Sequence, residues 1–212
     1  MSSTEVKRVL VLCGDCYHPA EMVIEGLRAS VGSEFAFEVA PDGTLVELGE
    51  TYAAVVIAKL NVSSPTDPLP WADARSDELL REFVMTGGGL VVIHGGTVGY
   101  QDAPSIRQLT GGKFLHHPEA CEITFQPLEG FDLAAGTIAF AGLDEHYFVD
   151  IDGGQEIFLV SRSTHGEQPA GWTSSFGDGR VCVLTPGHEG AVWKHPEFKK
   201  IINKGLNWVT HG

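Results

Sequence analysis

Basic residues are scarce in this chain. Lysine and arginine number 14 of 212 residues against 28 aspartates and glutamates, a formal charge of −14. A surface this acidic repels phosphate backbones and anionic lipid, so no nucleic acid and no membrane are expected as partners. Long apolar runs are missing as well, and nothing reaches the roughly 18 residues needed to span a bilayer. The opening MSSTEVKRVLVLCG lacks the apolar core and small-residue cleavage site of a secretion signal, so a cytoplasmic location is expected. Cysteine is sparse, with four residues. Cys13, Cys121 and Cys182 fall in apolar runs, where a reduced thiol behaves as a small hydrophobe. Cys16 makes a C-x-x-C with Cys13, but Cys13 continues a strand, whereas the redox motif places both thiols at a helix N-terminus. Neither G-x-G-x-x-G nor G-x-x-x-x-G-K-[ST] occurs, which leaves a phosphate cradle unsupported.

What is present is an ordinary globular composition, 43% hydrophobic and 20% charged, compatible with one domain over residues 1–212. Arg8–Cys13, Phe35–Val39, Ala54–Ala58 and Leu90–Ile93 read as strands that are apolar throughout. Between them, Pro19–Ala29 reads as an amphipathic helix and a second helix, capped by Ser76, runs to Met85, with Asn61–Arg75 as a loop. Strands without polar alternation, alternating with helices, predict a parallel sheet covered on both faces. The second half is read as short strands or an insertion (122–126, 137–140, 147–151) and a buried strand at Ile157–Ser161. Strands at Ala170–Ser174 and Arg180–Leu184 then flank an Asp178-Gly179 turn, before a closing helix from Pro196 to Val209.

In an open parallel sheet ligands bind beyond the carboxyl ends of the strands. The positions that follow the strands are rich in titratable groups: Asp15, Tyr17 and His18; His94; His116 and His117; Asp144, Glu145, His146 and Tyr147; His188 and Glu189. One histidine in a loop is ordinarily just solvated or hydrogen-bonded, but their recurrence at successive strand ends points to a functional pocket. The sharp turn after Leu90–Ile93 carries His94-Gly95-Gly96-Thr97, with no serine or cysteine at its apex, which argues against a nucleophilic hydrolase or a glutaminase. What remains is acid–base work by histidine and glutamate, with or without a divalent metal.

The segments GGGLVVIHGG, GGKFLHHP, DEHYFVD and GDGRVCVLTPGHEGAVWKHPEFKKIINKGLNWV resemble the trehalose-utilization (ThuA-like) family over nearly the whole chain. The resemblance implies a class I glutamine amidotransferase-like fold, a flavodoxin-like three-layer α/β sandwich with a mostly parallel central sheet. It implies functional positions at His18, at His94 in place of the amidotransferase cysteine, at His117, at Glu145 and at His188. The chain departs from the family pattern at His146, where leucine is frequent, and in carrying His116 as well.

The family's link to disaccharide and keto-sugar metabolism implies a small-molecule sugar as partner and an isomerase, lyase or hydrolase of sugars, not a glutaminase. The residues suggest Glu145 or His188 as the base, with His94 also catalytic. His18, His94 and His117 are the candidate ligands of a divalent metal such as zinc, or else donors to an enediolate. Asp15, Tyr17, His116, Tyr147, Trp172 and Trp193 are expected to border the sugar. A silent sugar-binding or interaction module on the same scaffold is the competing expectation, and a homo-oligomer is compatible with either.

Overall fold

The structure, a computed structural model, describes residues 6–40, 45, 48 and 51–211. The reading of the N-terminal segment therefore falls, up to residue 5, outside the described residues.

Five parallel strands form one half of a nine-stranded sheet: β1 (Lys7–Cys13), β2 (Phe35–Val39), β3 (Ala54–Ala58), β4 (Gly89–Ile93) and, from much later in the chain, β11 (Gly179–Leu184). Four antiparallel strands extend the sheet beyond β11: β10 (Gly166–Phe176), β9 (Glu156–Ser163), β6 (Cys121–Pro127) and β7 (Phe140–Asp144). The resulting order is β2-β1-β3-β4-β11-β10-β9-β6-β7. A separate pair, β5 (Gly112–His116) and β8 (Phe148–Ile151), runs antiparallel beside it.

Strand residues alternate between two cores. Val9, Val11, Val91 and Ile93 pack under α1 (Ala20–Ser30), α4 (Gly190–Lys194) and α5 (Pro196–Thr210). Leu10, Leu12, Leu90 and Val92 pack under α2 (Ala74–Met85) and α3 (Pro104–Thr110). Covered on both faces, the central strands β3 and β4 are buried at every position, whereas the edge strand β2 exposes Glu38 and Val39; the fold is the expected flavodoxin-like α/β sandwich. No helix among the described residues is long and apolar enough to cross a membrane.

Several boundaries differ from expectation. The cap of α2 is Asp73, whose carboxylate accepts from the Ser76 amide at 2.7 Å, so Ser76 lies inside the helix. The turn between β10 and β11 is formed by Gly177 and Asp178, and Gly179 already belongs to β11, because Gly177 is the residue with the left-handed φ of 61°. Thr137 to Ala139 precede β7 instead of forming a strand of their own. Helix α3 was not expected at all. It has no local side-chain cap; the Asp77 carboxylate of α2 accepts instead from the amides of Ser105 and Ile106, at 3.1 and 2.8 Å.

Candidate active site

The carboxyl ends of β1, β4 and β11 and the segment between β7 and β8 converge on one cavity of about 280 Å3. His18, His117, Glu145, Tyr147 and His188 line it together with Tyr17, Leu60, Val98 and Phe114. His94 forms its buried floor, in reach of Tyr147 and Glu145.

His94 opens a 3-10 turn (His94–Thr97) with a φ of 47°, the left-handed region in which a non-glycine residue is held at a cost. The two glycines that follow allow this close fit. A Cβ at Gly96 would fall against the Ile57 carbonyl oxygen, and one at Gly95 would lie 3.1 Å from the His18 ring. His94 Nδ1 lies 2.7 Å from the Thr185 carbonyl oxygen, so it must carry the proton and donate. That leaves the Nε2 lone pair facing the cavity, where the Tyr147 hydroxyl donates to it at 2.9 Å.

His18 is fixed by the same logic. Its Nδ1 is 2.9 Å from both oxygens of Asp15, a carboxylate that also accepts from the amides of Tyr17, His18 and Leu60. Burial works to raise the Asp15 carboxyl, but the His18 hydrogen bond and the backbone amides outweigh it, and the group titrates below its usual range. With Nδ1 spent on Asp15, His18 Nε2 points inward, 3.2 Å from His188 Nδ1. His188 itself is held through its backbone. The fully buried Asp144 carboxylate accepts from the amides of Gly187, His188 and Glu189 at 2.8, 2.9 and 3.0 Å. Desolvation lowers the His188 pKa, against the pull of the Glu145 carboxylate, so the imidazole is neutral at pH 7.

Glu145 sits among the three rings. Its Oε2 lies 3.4 Å from His94 Nε2, and its Oε1 lies 3.4 Å from His188 Nδ1 and 3.6 Å from His117 Nε2. Burial pushes this carboxyl upward; the neighbouring His94, His188 and His117 imidazoles pull it further down, so it titrates below its ordinary value and is ionised at neutral pH. Burial drives the Tyr147 hydroxyl the other way, well above the usual phenol range, so it stays a donor.

One nitrogen each from His18, His94 and His188 lies within 4.8 Å of the others. Two nitrogens bound to one tetrahedral zinc at about 2.0–2.1 Å lie about 3.3–3.4 Å apart. The 3.2 Å between His18 and His188 is close to that spacing. The donor set also fits: imidazoles whose second nitrogens, in His18 and His94, are tied to a carboxylate and a carbonyl.

The structure thus brings His18, His94, His188, Glu145 and Tyr147 together. Of the expected metal ligands, His18 and His94 group with His188, while His117 stands apart, with its Nδ1 turned to the Pro118 carbonyl and its Nε2 across Glu145. Asp15 lies behind His18 and does not line the cavity. Tyr17 stands at the rim, 66% exposed. Three expected sugar contacts are elsewhere. His116 is exposed on β5 with its ring against Phe148, since alternation along the strand turns it away from His117. Trp172 is buried in the core under α2 and α3 with its indole donating to the Thr110 carbonyl, and Trp193 lies in the opposite core donating to Gly187. Two contributors escaped the sequence reading, Thr185 and the supporting role of Asp144. The only sequence signals were their places at the end of β11 and beside Glu145.

Residues 8–209 match the profile of the ThuA family, described as trehalose utilisation. Among solved structures, a ThuA-like protein from Parabacteroides merdae superposes with a TM-score of 0.78 at 17% identity, covering 98% of this chain and 91% of that one. A ThuA-like protein from Bacteroides uniformis gives 0.75 at 13% identity, with 99% and 94% covered. A cytoplasmic protein from Salmonella typhimurium LT2 gives 0.67 at 10% identity, with 95% and 99% covered. No curated protein matches the chain by sequence.

Proposed function

The chain belongs to the ThuA, or trehalose utilisation, family, and from that premise we propose that its pocket performs metal-assisted acid–base chemistry on a carbonyl-bearing sugar, moving a proton at the carbon next to the carbonyl. The observation that carries this reading is the convergence of three imidazole nitrogens within 4.8 Å beside an ionised, largely buried Glu145.

His18, His94 and His188 would hold a divalent ion such as zinc, which supplies Lewis acidity toward the substrate's oxygens. Glu145 takes the proton from carbon, being already a carboxylate at neutral pH and facing the open part of the cavity. His117 Nε2, 3.6 Å from Oε1 and outside the trio that would hold the ion, is placed to exchange that proton with the product or solvent. The Tyr147 hydroxyl, which donates to His94 Nε2 in this structure, would be released to donate to a sugar oxygen once that nitrogen holds the ion. Phe114 packs against Tyr147 at 4.5 Å between ring centres, and with Leu60 and Val98 it gives the sugar an apolar wall and limits water around Glu145.

The test couples metal analysis with hydrogen exchange. Protein purified with zinc should carry about one ion per chain, and His18→Ala or His94→Ala should lose it. In D2O, aldoses, ketoses and keto-disaccharides are followed by NMR for exchange next to the carbonyl. The wild type should exchange one of these classes, and Glu145→Gln should slow it by about 100-fold or more. A sugar that binds without exchange would establish the silent binding module instead. Absence of bound metal would remove the metal from the reading.

A further inference from the structure

In the Asp144–Tyr147 segment, Glu145 and Tyr147 line the pocket, whereas His146 turns its ring to β9. Its ring is buried against β9, where alternation places Ser161 and Ser163 on the same face. Residues two apart on a strand are separated by about 6.6 Å, the reach of an imidazole with a hydrogen bond at each nitrogen. His146 fills that reach, with Nε2 3.0 Å from Ser161 Oγ and Nδ1 2.7 Å from Ser163 Oγ.

The direction of each hydrogen bond follows from the end of the chain. Ser161 Oγ donates to the Gln168 carbonyl oxygen at 3.3 Å, because a carbonyl can only accept. Its single proton being used there, Ser161 Oγ accepts from His146 Nε2–H. The Nδ1 of the neutral ring is then a bare lone pair, and the Ser163 hydroxyl donates to it. Burial lowers the His146 pKa and favours this neutral ring. Ser163 is the last residue of β9, only half-buried, at a two-residue turn of Thr164 and His165. The His165 amide donates to Ser163 Oγ at 3.0 Å, which favours negative charge developing on that oxygen. A hydroxyl, a base that accepts its proton and a third group that orients the base are the three parts of an activated serine.

We propose that Ser163, His146 and Ser161 form a second, separate reactive site, in which Ser163 is a nucleophile toward activated acyl or phosphoryl donors arriving from solvent. In the covalent step the Ser163 Oγ bond to carbon or phosphorus forms, the bond to the leaving group breaks, and the hydroxyl proton passes to His146 Nδ1 and then to water.

A fluorophosphonate tests this directly. The Oγ–P bond forms, the P–F bond breaks and fluoride leaves. Peptide mapping by mass spectrometry should find the label on Ser163 at a rate at least tenfold above exposed Ser175 of β10 in the same molecules, a comparison that needs no variant. His146→Gln, which retains a donor but offers no ring base, should lose at least tenfold in rate while its circular dichroism stays that of the wild type. Ser163→Ala should remove the label. Equal labelling of Ser163 and Ser175, or an unchanged rate in folded His146→Gln, would overturn the proposal.

Discussion

Replacing Asp144 by alanine should damage the protein far more than a single buried side chain of its size would suggest. Its carboxylate is the common acceptor for three consecutive amides, Gly187, His188 and Glu189, in the turn that delivers His188 to the pocket. The bond from Gly187 is fully buried, so its amide would be left unpaired at a cost of about 1–3 kcal/mol. The other two are part-buried and regain water, losing about 0.5–1.5 kcal/mol each. The sum is about 2–6 kcal/mol, with a centre near 4 kcal/mol; at about 2–4 °C per kcal/mol for a chain of this length, Tm should fall by about 8–16 °C. Asp144→Asn keeps one carbonyl acceptor and turns a donor toward at least one amide, so it should fall between alanine and wild type. Urea unfolding with an unchanged m-value reads the difference. A cost below about 1 kcal/mol for Asp144→Ala would refute the idea that this carboxylate organises the turn.

Other expectations follow from the same geometry. Gly96→Ala drives a Cβ into the Ile57 carbonyl and should destabilise by at least about 1 kcal/mol more than Gly95→Ala, whose Cβ meets side-chain atoms of His18 and Leu60 at 3.1 and 3.2 Å, as read by denaturant midpoints. Trp172→Phe loses the indole bond to Thr110 and should cost about 2 kcal/mol in stability, yet leave zinc stoichiometry intact, because the ring lies in the core and not in the pocket. Zinc at about 100 times its Kd should stabilise the wild type by about 2.7 kcal/mol, and His94→Ala should abolish that gain in a thermal scan. The folded-state pKa of His146 is depressed below 6.5, so its contribution to stability is complete above pH 6.5 and declines as the pH falls toward the lower folded value. Between those limits the wild type should lose more stability than His146→Gln, and parallel curves would contradict the depressed value.

The parallel half of the sheet was readable because its central strands are buried on both faces and therefore form unbroken apolar runs, as in Val9–Leu12 and Leu90–Ile93. Helix α3 was hidden because its cap is supplied by Asp77, 28 positions or more away, and a local scan registers only Pro104. In the site, His94 and Glu145 stood out through their positions, one at a glycine-rich strand end and one in a charged tetrapeptide. The choice of His188 over His117 depends on the turn that Asp144 closes, a contact across 44 positions. The tryptophans misled for a related reason: residue type suggests a sugar platform, whereas only packing decides whether an indole faces a ligand or a core.

The placement of β11 between β4 and β10 also sets an order of assembly. The strand that joins the parallel half to the antiparallel half is the last strand of the chain, and it sits in the middle of the sheet. During synthesis β1 to β4 can pair, and the hairpins among β6, β7, β9 and β10 can form, yet the two halves have no shared strand until residues 179–184 emerge. The halves carry complementary parts of the site, His18 and His94 on one, Glu145 and Tyr147 on the other. The histidine–glutamate pocket is therefore completed only when β11 is seated, and a cut in the hairpin before it would part His188 from the other site residues and leave the seam between the two halves of the sheet to be closed by a separate fragment.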